Sequence, residues 1–442
     1  MEIKTYRIIT FGCQMNEHDS EALAGILEKM GYQRTESEEA DLTLFNTCCV
    51  RENAAQRLYG HVASLKRIKK SKPRAIIGVC GCLPQQPGEA EALMRQLSHV
   101  DLVFGTHNAH RLPELIARFR ETGAPVCEIL AEGDVVEGLP VRRASQLKAW
   151  VTIMHGCNNF CSYCIVPYVR GREKSRQMSD ILRELGALGN SGVREITLLG
   201  QNVNSYGKDL PGQPDFADLL QAANGVPGIE RIRFQTSHPR DVTTKLIQTM
   251  ADCEKVCEHL HLPLQAGSDR VLRLMNRGYT ATHYLNIVDG LRKAMPGISL
   301  TTDIIVGFPG ESAADFEDTL MMMRTVRYDS AFTFAYSPRT GTPAAASNEQ
   351  VDAAVKKERL QQLINLQNGI SLELNRAETG RTHEILVEGP SQREESVWIG
   401  RTRSNKLVHF NHEAGTEVEV GQTIQIRITE GQTHTLYGTR EI

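Results

Sequence analysis

The 442-residue sequence predicts an α/β protein in three parts: a doubly wound amino-terminal domain over 1–140, a partial parallel (β/α) barrel over 141–375, and a small all-β barrel over 376–442. Three observations predict it. Strand-like and helix-like segments alternate over the first 140 residues. Six further strand-like segments, again separated by helical runs, follow a polar linker. After a long polar helical segment the pattern changes to short strands divided by turn residues.

In the first part, "YRIITFG" reads as a strand and Asn16 to Met30 as the helix after it. "DLTLFNT" is the next strand, "AAQRLYGHVASLKRI" the next helix, and "RAIIGV" and "DLVFG" continue the series. Ligands of such a sheet bind at the carboxyl ends of its strands. The linker "EGLPVRRASQLK" leads into "AWVTIMHG", "EITLLG", "RIRFQTS", "HLHLPL", "SLTTDIIVG" and "SAFTFAY", six strands of a parallel and incomplete barrel. A helix is expected from Asn348 to Arg376, and then five short strands, "HEILVEG", "VWIGRT", "KLVHF", "TIQIRITEG" and "TLYGTRE".

Composition narrows the function. The formal net charge is -3, so nucleic-acid binding would have to use local basic patches. No apolar run reaches membrane-spanning length, and "MEIKTYRIITFGC" lacks a signal-peptide pattern. Eleven cysteines, an odd number, point to metal binding or redox chemistry in a reducing cytoplasm rather than to a disulfide framework.

The cysteines fall into two constellations. "GCNNFCSYC" holds Cys157, Cys161 and Cys164 as C-x3-C-x2-C, directly after the first barrel strand. Catalytic groups of such barrels sit at carboxyl strand ends. Three thiolates can hold three irons of a four-iron cluster and leave the fourth iron for a small molecule. The second set is dispersed: Cys13 in "FGCQMN", Cys48 or Cys49 in "NTCCVREN", and Cys80 or Cys82 in "GVCGC". Each follows a strand of the first domain, so the three sites can meet at one sheet edge. Cys48 and Cys49 are adjacent, and alternation allows only one of them to reach that edge. Cys80 and Cys82 share parity, and alternation does not choose between them.

"CNNFCSYC" after a barrel-opening strand resembles the motif of the radical S-adenosylmethionine (SAM) superfamily. The resemblance implies a [4Fe-4S] cluster on Cys157, Cys161 and Cys164 whose fourth iron is chelated by SAM. "GCQMNEHDSE", "NTCCVREN" and "GVCGC" are similar to the three cysteine segments of the methylthiotransferase family, and the tail resembles its TRAM domain, an RNA-binding β module. That resemblance places a second, auxiliary [4Fe-4S] cluster on Cys13, Cys48 and Cys82, with Cys49 and Cys80 beside the motif. "LLGQNV" and "TDIIVGFPGE" end barrel strands at the active face, and the turn at Gly307 and Gly310 can admit a ligand close to the backbone. The resemblance puts Gln201 near the aminoacyl end of SAM and the strand ending at Gly307 and Gly310 near its adenine.

The form "GCQMN" is similar to the branch of the family that methylthiolates carbon 2 of N6-isopentenyladenosine at position 37 of tRNA. SAM would then serve twice, as methyl donor and as source of a 5′-deoxyadenosyl radical, with sulfur presented by the auxiliary cluster. The implied partners are a tRNA anticodon stem-loop and a reductant such as flavodoxin or ferredoxin. The alternatives are methylthiolation of threonylcarbamoyl-adenosine and, in a different class, a non-enzymatic RNA-binding scaffold with structural zinc.

Two basic runs stand out; such runs are usually solvated faces, and only the second, beside the reactive centre, is a candidate for phosphate contact. One is "LKRIKKSKPR", with Lys66, Arg67, Lys69, Lys70, Lys72 and Arg74; the other is "VRGREKSR", with Arg170, Arg172, Lys174 and Arg176 beside the reactive centre. In the tail, Trp398, Phe410 and Tyr437 are either RNA-stacking groups or core. His107, His110, His238, His259, His261 and His283 form no metal spacing, and Cys127 reads as core.

Overall fold

The structure, a computed structural model, describes residues 4–49, 52–411 and 418–441. Val50 and Arg51 of "NTCCVREN" lie outside the described residues. The amino-terminal sheet is built from β1 (Lys4–Phe11), β2 (Tyr32–Arg34), β3 (Leu42–Thr47), β4 (Ile76–Gly81), β5 (Leu102–Phe104) and β6 (Val126–Glu128). All its pairings are parallel, in the order β2-β1-β3-β4-β5-β6. The central strands β3 and β4 are buried along their whole length; β4 is nearly all apolar, whereas β3 buries Thr43, Asn46 and Thr47 among Leu42, Leu44 and Phe45. β2 and β6 have three residues each, too few to show a period in the sequence. The strand order reverses between β1 and β3, which opens the ligand crevice of a doubly wound sheet at their carboxyl ends.

The linker does not swing free. Arg142 pairs with Glu28, and Arg143 with both Glu21 and Glu184, so the chain between the domains is tied to the helix Gln14–Lys29 and to the barrel helix Met178–Asn190.

The run "AWVTIMHG" divides in two. β7 (Lys148–Thr152) is the first barrel strand, whereas β8 (Met154–His155) pairs antiparallel with β9 (Lys174–Ser175). That short ribbon frames the C-x3-C-x2-C loop. The barrel continues with β10 (Glu195–Leu199), β11 (Arg231–Phe234), β12 (His259–His261), β13 (Ser299–Val306) and β14 (Ser330–Ala335). β7-β10-β11 and β12-β13-β14 are parallel triplets, joined by a bridge between Ile232 and Val256. β14 keeps an open edge on which Phe332 and Phe334 stay exposed. Helices start where a side chain can take an orphan amide: Thr243, Ser268, Thr280 and Ser312 each accept from the amide three residues on. Their inner faces close one large apolar core with the strands.

The tail is a closed five-stranded barrel in the order β15-β16-β17-β19-β18, with β15 (Thr382–Pro390), β16 (Val397–Thr402), β17 (Leu407–Asn411), β18 (Thr423–Gly431) and β19 (Leu436–Arg440). In β18, Ile424, Ile426 and Ile428 point inward and Gln425 and Arg427 outward. This barrel docks on the amino ends of the large-barrel strands, away from the cysteine loop. Arg231 donates to the Arg401 carbonyl at 2.7 Å and to Glu384 at 2.8 Å, and Arg233 to the carbonyls of Arg403 and Thr402 at 2.8 and 2.9 Å. The helix Ala353–Arg376 ties the two barrels together, Asn375 donating to the Gln432 carbonyl at 2.7 Å.

Candidate functional site: two facing thiol constellations

The first constellation forms where β1, β3 and β4 end. Cys13 caps the helix Gln14–Lys29, and Asn16 Oδ1 accepts from the Cys13 amide at 3.3 Å and from its thiol at 3.4 Å. Asn16 is in turn locked to Asn46: its Nδ2 donates to Asn46 Oδ1 at 3.2 Å, and Asn46 Nδ2 donates to the Asn16 carbonyl at 2.8 Å. The asparagines of "GCQMN" and "FNTC" therefore clamp two cysteine-bearing turns to each other. Gly81 completes the clamp: its φ is +98°, and a Cβ there would overlap Asn46 Oδ1.

Cys13, Cys48 and Cys82 come together here. The Cys13 and Cys48 thiols are in hydrogen-bonding contact, which with the Arg170 charge holds Cys13 down to about 5 against the cost of burial. Contact with Cys49 and the same arginine bring Cys82 down to about 7. Cys80 lies elsewhere, in the apolar core with Leu44, Ile76 and Phe104, where burial pushes its thiol far up. The left-handed Gly81 between Cys80 and Cys82 is what breaks their shared parity. The expectation that only one of Cys48 and Cys49 reaches the edge does not hold. β3 ends at Thr47, so strand alternation no longer governs the next two residues, and both thiols meet partners of the constellation.

The second constellation is the loop after β8. Cys157 and Cys161 are buried and Cys164 nearly so, and burial raises Cys157 to about 11 and Cys164 to about 12. The loop is pinned by its neighbours: Ser162 Oγ donates to the Leu274 carbonyl at 2.7 Å, and Asn276 Nδ2 to the Phe160 carbonyl at 3.0 Å. Ile165 and Val169, just beyond Cys164, belong to the same apolar cluster as Cys49, Cys82 and Leu83, so the two thiol sets face one another across the domain boundary.

Each set has a buried arginine that motif reading did not single out as a partner of sulfur. Arg170 is 7% exposed; its Nε donates to Cys82 Sγ at 3.3 Å and its Nη2 to Asp19 at 2.7 Å. Arg277 is 4% exposed; it donates to Cys161 Sγ at 3.3 Å, to the Tyr279 hydroxyl at 3.2 Å and to the Pro263 carbonyl at 2.9 Å. The basic run "VRGREKSR" is largely spent inside the protein. Arg170 serves Asp19 and Cys82, Arg176 pairs with Glu137 and Glu184, Lys174 pairs with Asp134, and Arg172 lies 4.4 Å from the Phe160 ring. In the other run, Arg67, Lys69 and Lys72 pair with Glu38, Asp101 and Asp41. Of the tail aromatics, Phe410 is core, Trp398 packs partly buried against that core, and Tyr437 stacks on His409 at 5.2 Å.

At the carboxyl ends of the barrel strands lies a set of buried polar atoms without partners. Gln201 Oε1, Asn202 Oδ1, Ser237 Oγ, His238 Nε2 and Gln265 Oε1 are buried and unbonded, and they follow β10, β11 and β12. Such atoms are costly to bury unless a ligand completes them. Thr236 and Gln265 hold φ of 73° and 72°, strained values for residues with side chains. His238 is not ordinary: burial and the Arg277 charge press it to about 2, leaving a neutral ring with Nδ1 bonded to the Arg240 amide and Nε2 free. These donors and acceptors fit a zwitterionic, ribose-bearing ligand such as SAM. Gly307 and Gly310, with φ of 69° and 79°, are crowded by the chain itself: a Cβ would strike Lys356 at the first and Glu349 at the second. The soft thiols of the two constellations suit iron–sulfur clusters. Among the described residues no three Cys, His, Asp or Glu side chains are drawn tightly enough to hold a single metal ion.

An open parallel barrel with three thiols at its first loop and unsatisfied polar atoms at its strand ends defines a radical SAM enzyme. Residues 151–323 match the family model described as the Radical SAM superfamily, 5–105 that of uncharacterized protein family UPF0004, and 376–439 that of the TRAM domain. Solved structures agree on the fold. The radical S-adenosylmethionine methyltransferase TsrM of Kitasatospora setae superposes with a TM-score of 0.57 at 14% identity, over 78% of this chain and 77% of that one. The radical enzyme OxsB gives 0.51 at 13% identity, over 83% and 56%. Curated relatives named tRNA-2-methylthio-N(6)-dimethylallyladenosine synthase are 55% identical in Carboxydothermus hydrogenoformans, over 99% of both chains, and 53% identical in Acetivibrio thermocellus, over 99% of this chain and 91% of that one. The chain belongs to the family of tRNA-2-methylthio-N(6)-dimethylallyladenosine synthases.

Proposed function

We propose that this protein inserts a methylthio group at carbon 2 of N6-isopentenyladenosine at position 37 of tRNA. The observation that carries the reading is the pair of thiol constellations facing each other at the barrel mouth, one beside the unpartnered polar atoms and one beyond them. Cys157, Cys161 and Cys164 would hold the [4Fe-4S] cluster that binds SAM, and Cys13, Cys48 and Cys82 the auxiliary [4Fe-4S] cluster. The clusters and SAM, when bound, supply an electron, a 5′-deoxyadenosyl radical able to take the unactivated hydrogen from carbon 2, a methyl group and sulfur.

The chain's own residues do the rest. Gln201, Ser237, His238 and Gln265 orient SAM through the atoms now without partners. His238, neutral because of its burial and Arg277, accepts at Nδ1 from the Arg240 amide and so offers its Nε2–H as a donor. Arg277 and Arg170 steady one thiol of each constellation. The base leaves its stack and enters through the open side of the barrel, where β14 has no further strand beside it. The TRAM barrel, docked at the far end, lies where it can hold the rest of the stem-loop. A small one-electron protein such as flavodoxin or ferredoxin supplies the reductant, and the setting is the cytoplasm. No helix among the described residues is long and apolar enough to cross a membrane.

The test uses reduced enzyme, SAM and anticodon stem-loops carrying isopentenyl-adenosine, threonylcarbamoyl-adenosine or plain adenosine, with the nucleosides then weighed by mass spectrometry. Burying a five-carbon group is worth about 0.8 kcal/mol per methylene, so the isopentenyl form should react far better than the plain one. Equal reaction of plain adenosine would refute the substrate assignment, and preference for the threonylcarbamoyl form would move it to the sister substrate.

A further inference from the structure

The amino-terminal constellation contains four thiols, not three. Cys49 is 5% exposed and packs with Cys82 in one buried cluster, while Cys13 and Cys48 form the other contacting pair. Cys49 also packs in the same apolar cluster as Ile165 and Val169, just beyond Cys164, so it stands on the side that faces the second cysteine loop. A cysteine kept only for packing looks different: Cys80, two residues before Cys82, is enclosed by Leu44, Ile76, Leu102 and Phe104. The chain can turn both Cys48 and Cys49 toward the constellation because β3 ends at Thr47 and the next two residues are free of strand alternation.

We propose that Cys49 is a fourth protein ligand of the auxiliary cluster in its resting state, closing the iron position that Cys13, Cys48 and Cys82 leave open. The proposal rests on the reading of these thiols as a cluster site. It gives the reactive position a protecting cap: an incoming sulfur ligand must displace Cys49. One iron–sulfur bond then breaks and one forms, the released thiolate takes up one proton, and no electron is exchanged. Cys49, rather than Cys13 or Cys48, is the one to leave because it packs toward the radical-generating loop, beside Ile165 and Val169.

The test isolates the auxiliary site by replacing Cys157, Cys161 and Cys164 together with Ala in the full chain, then reconstituting with iron and sulfide. Mössbauer and EPR spectra are recorded with and without added methanethiol, with Cys49 present, as Cys49→Ala and as Cys49→Ser. With Cys49 present, the spectra should be insensitive to methanethiol. Cys49→Ala should keep its iron, show one altered iron site, and respond to methanethiol at least tenfold more readily. Cys49→Ser, nearly isosteric, should keep its iron with a third spectrum. Equal spectra and equal methanethiol response in all three would overturn the proposal while leaving the auxiliary cluster in place. A chain without iron in all three would overturn the auxiliary-cluster reading and the proposal with it.

Discussion

Replacing Arg277 with Met should make the SAM-binding cluster harder to reduce. Arg277 is buried, carries a charge that burial alone would disfavour, and places Nη1 3.3 Å from Cys161 Sγ. A cluster held by three thiolates becomes more negative when it takes an electron, so a fixed cation beside it stabilises the reduced form. Taking the charge to act over about 5 Å at an effective dielectric near 20 gives about 3 kcal/mol, or on the order of 100 mV for one electron. Arg277→Met removes that term at similar volume, and Arg277→Lys restores the charge without the fork that reaches Cys161, Tyr279 and Pro263 together. The assay is an EPR-monitored redox titration in a chain whose Cys13, Cys48 and Cys82 are Ala, so that only one cluster reports. The potential of Arg277→Met should fall by roughly 100 mV, and Arg277→Lys should recover most of the loss. Full iron content with an unchanged potential in Arg277→Met would refute the electrostatic role and leave Arg277 a packing residue.

Replacing Cys157, Cys161 and Cys164 together with Ala should leave about half the iron of the intact protein, because each four-iron cluster contributes equally; iron analysis that finds all or none of it would break the assignment into two independent sites. Cys80→Ala should keep the auxiliary cluster and Cys82→Ala should lose it, read from the iron content and visible spectrum of each, since only Cys82 shares the thiol constellation. Arg233→Ala should loosen the carboxyl-terminal barrel: it leaves buried Glu195 with only Lys148 at 3.3 Å and removes two carbonyl contacts, a loss of about 3 kcal/mol, visible as faster proteolysis between the barrels.

The doubly wound sheet, the open barrel and the closing β-barrel were legible because each repeats a period over several segments. The meeting of Cys13, Cys48 and Cys82 was legible because each follows a strand of one parallel sheet, whose carboxyl ends converge. The charged residues were not. Arg170 sits in a run of cations that reads as a phosphate contact, yet its partners, Asp19 and Cys82, lie 151 and 88 residues away. Nothing in "MNRGYT" marks Arg277, which becomes a sulfur partner only when β12 and the loop after Cys157 are brought together. Cys49 was misjudged for a different reason. Strand parity was extended two residues past Thr47, where the strand has already ended. Gly307 and Gly310 carry a signal that is real but ambiguous: a left-handed turn reads the same whether a ligand or the chain's own Lys356 and Glu349 occupies the space beside it.

The two arginines also explain why the domains are fastened at this boundary. Arg170 belongs to the barrel, but both of its partners belong to the amino-terminal domain, Asp19 on the helix Gln14–Lys29 and Cys82 after β4. The first constellation thus receives its nearest buried positive charge from the other domain, whereas the second finds Arg277 within its own barrel. An amino-terminal domain without the barrel would hold three or four crowded thiols with no cation to favour their charged form. The Thr106 hydroxyl, which donates to the Val169 carbonyl at 2.8 Å, and the apolar contact of Ile165 and Val169 with the Cys49 and Cys82 side fix that arginine in place. A cluster on these thiols would therefore load only as the domains dock, and docking is what brings them face to face with the loop of Cys157, Cys161 and Cys164.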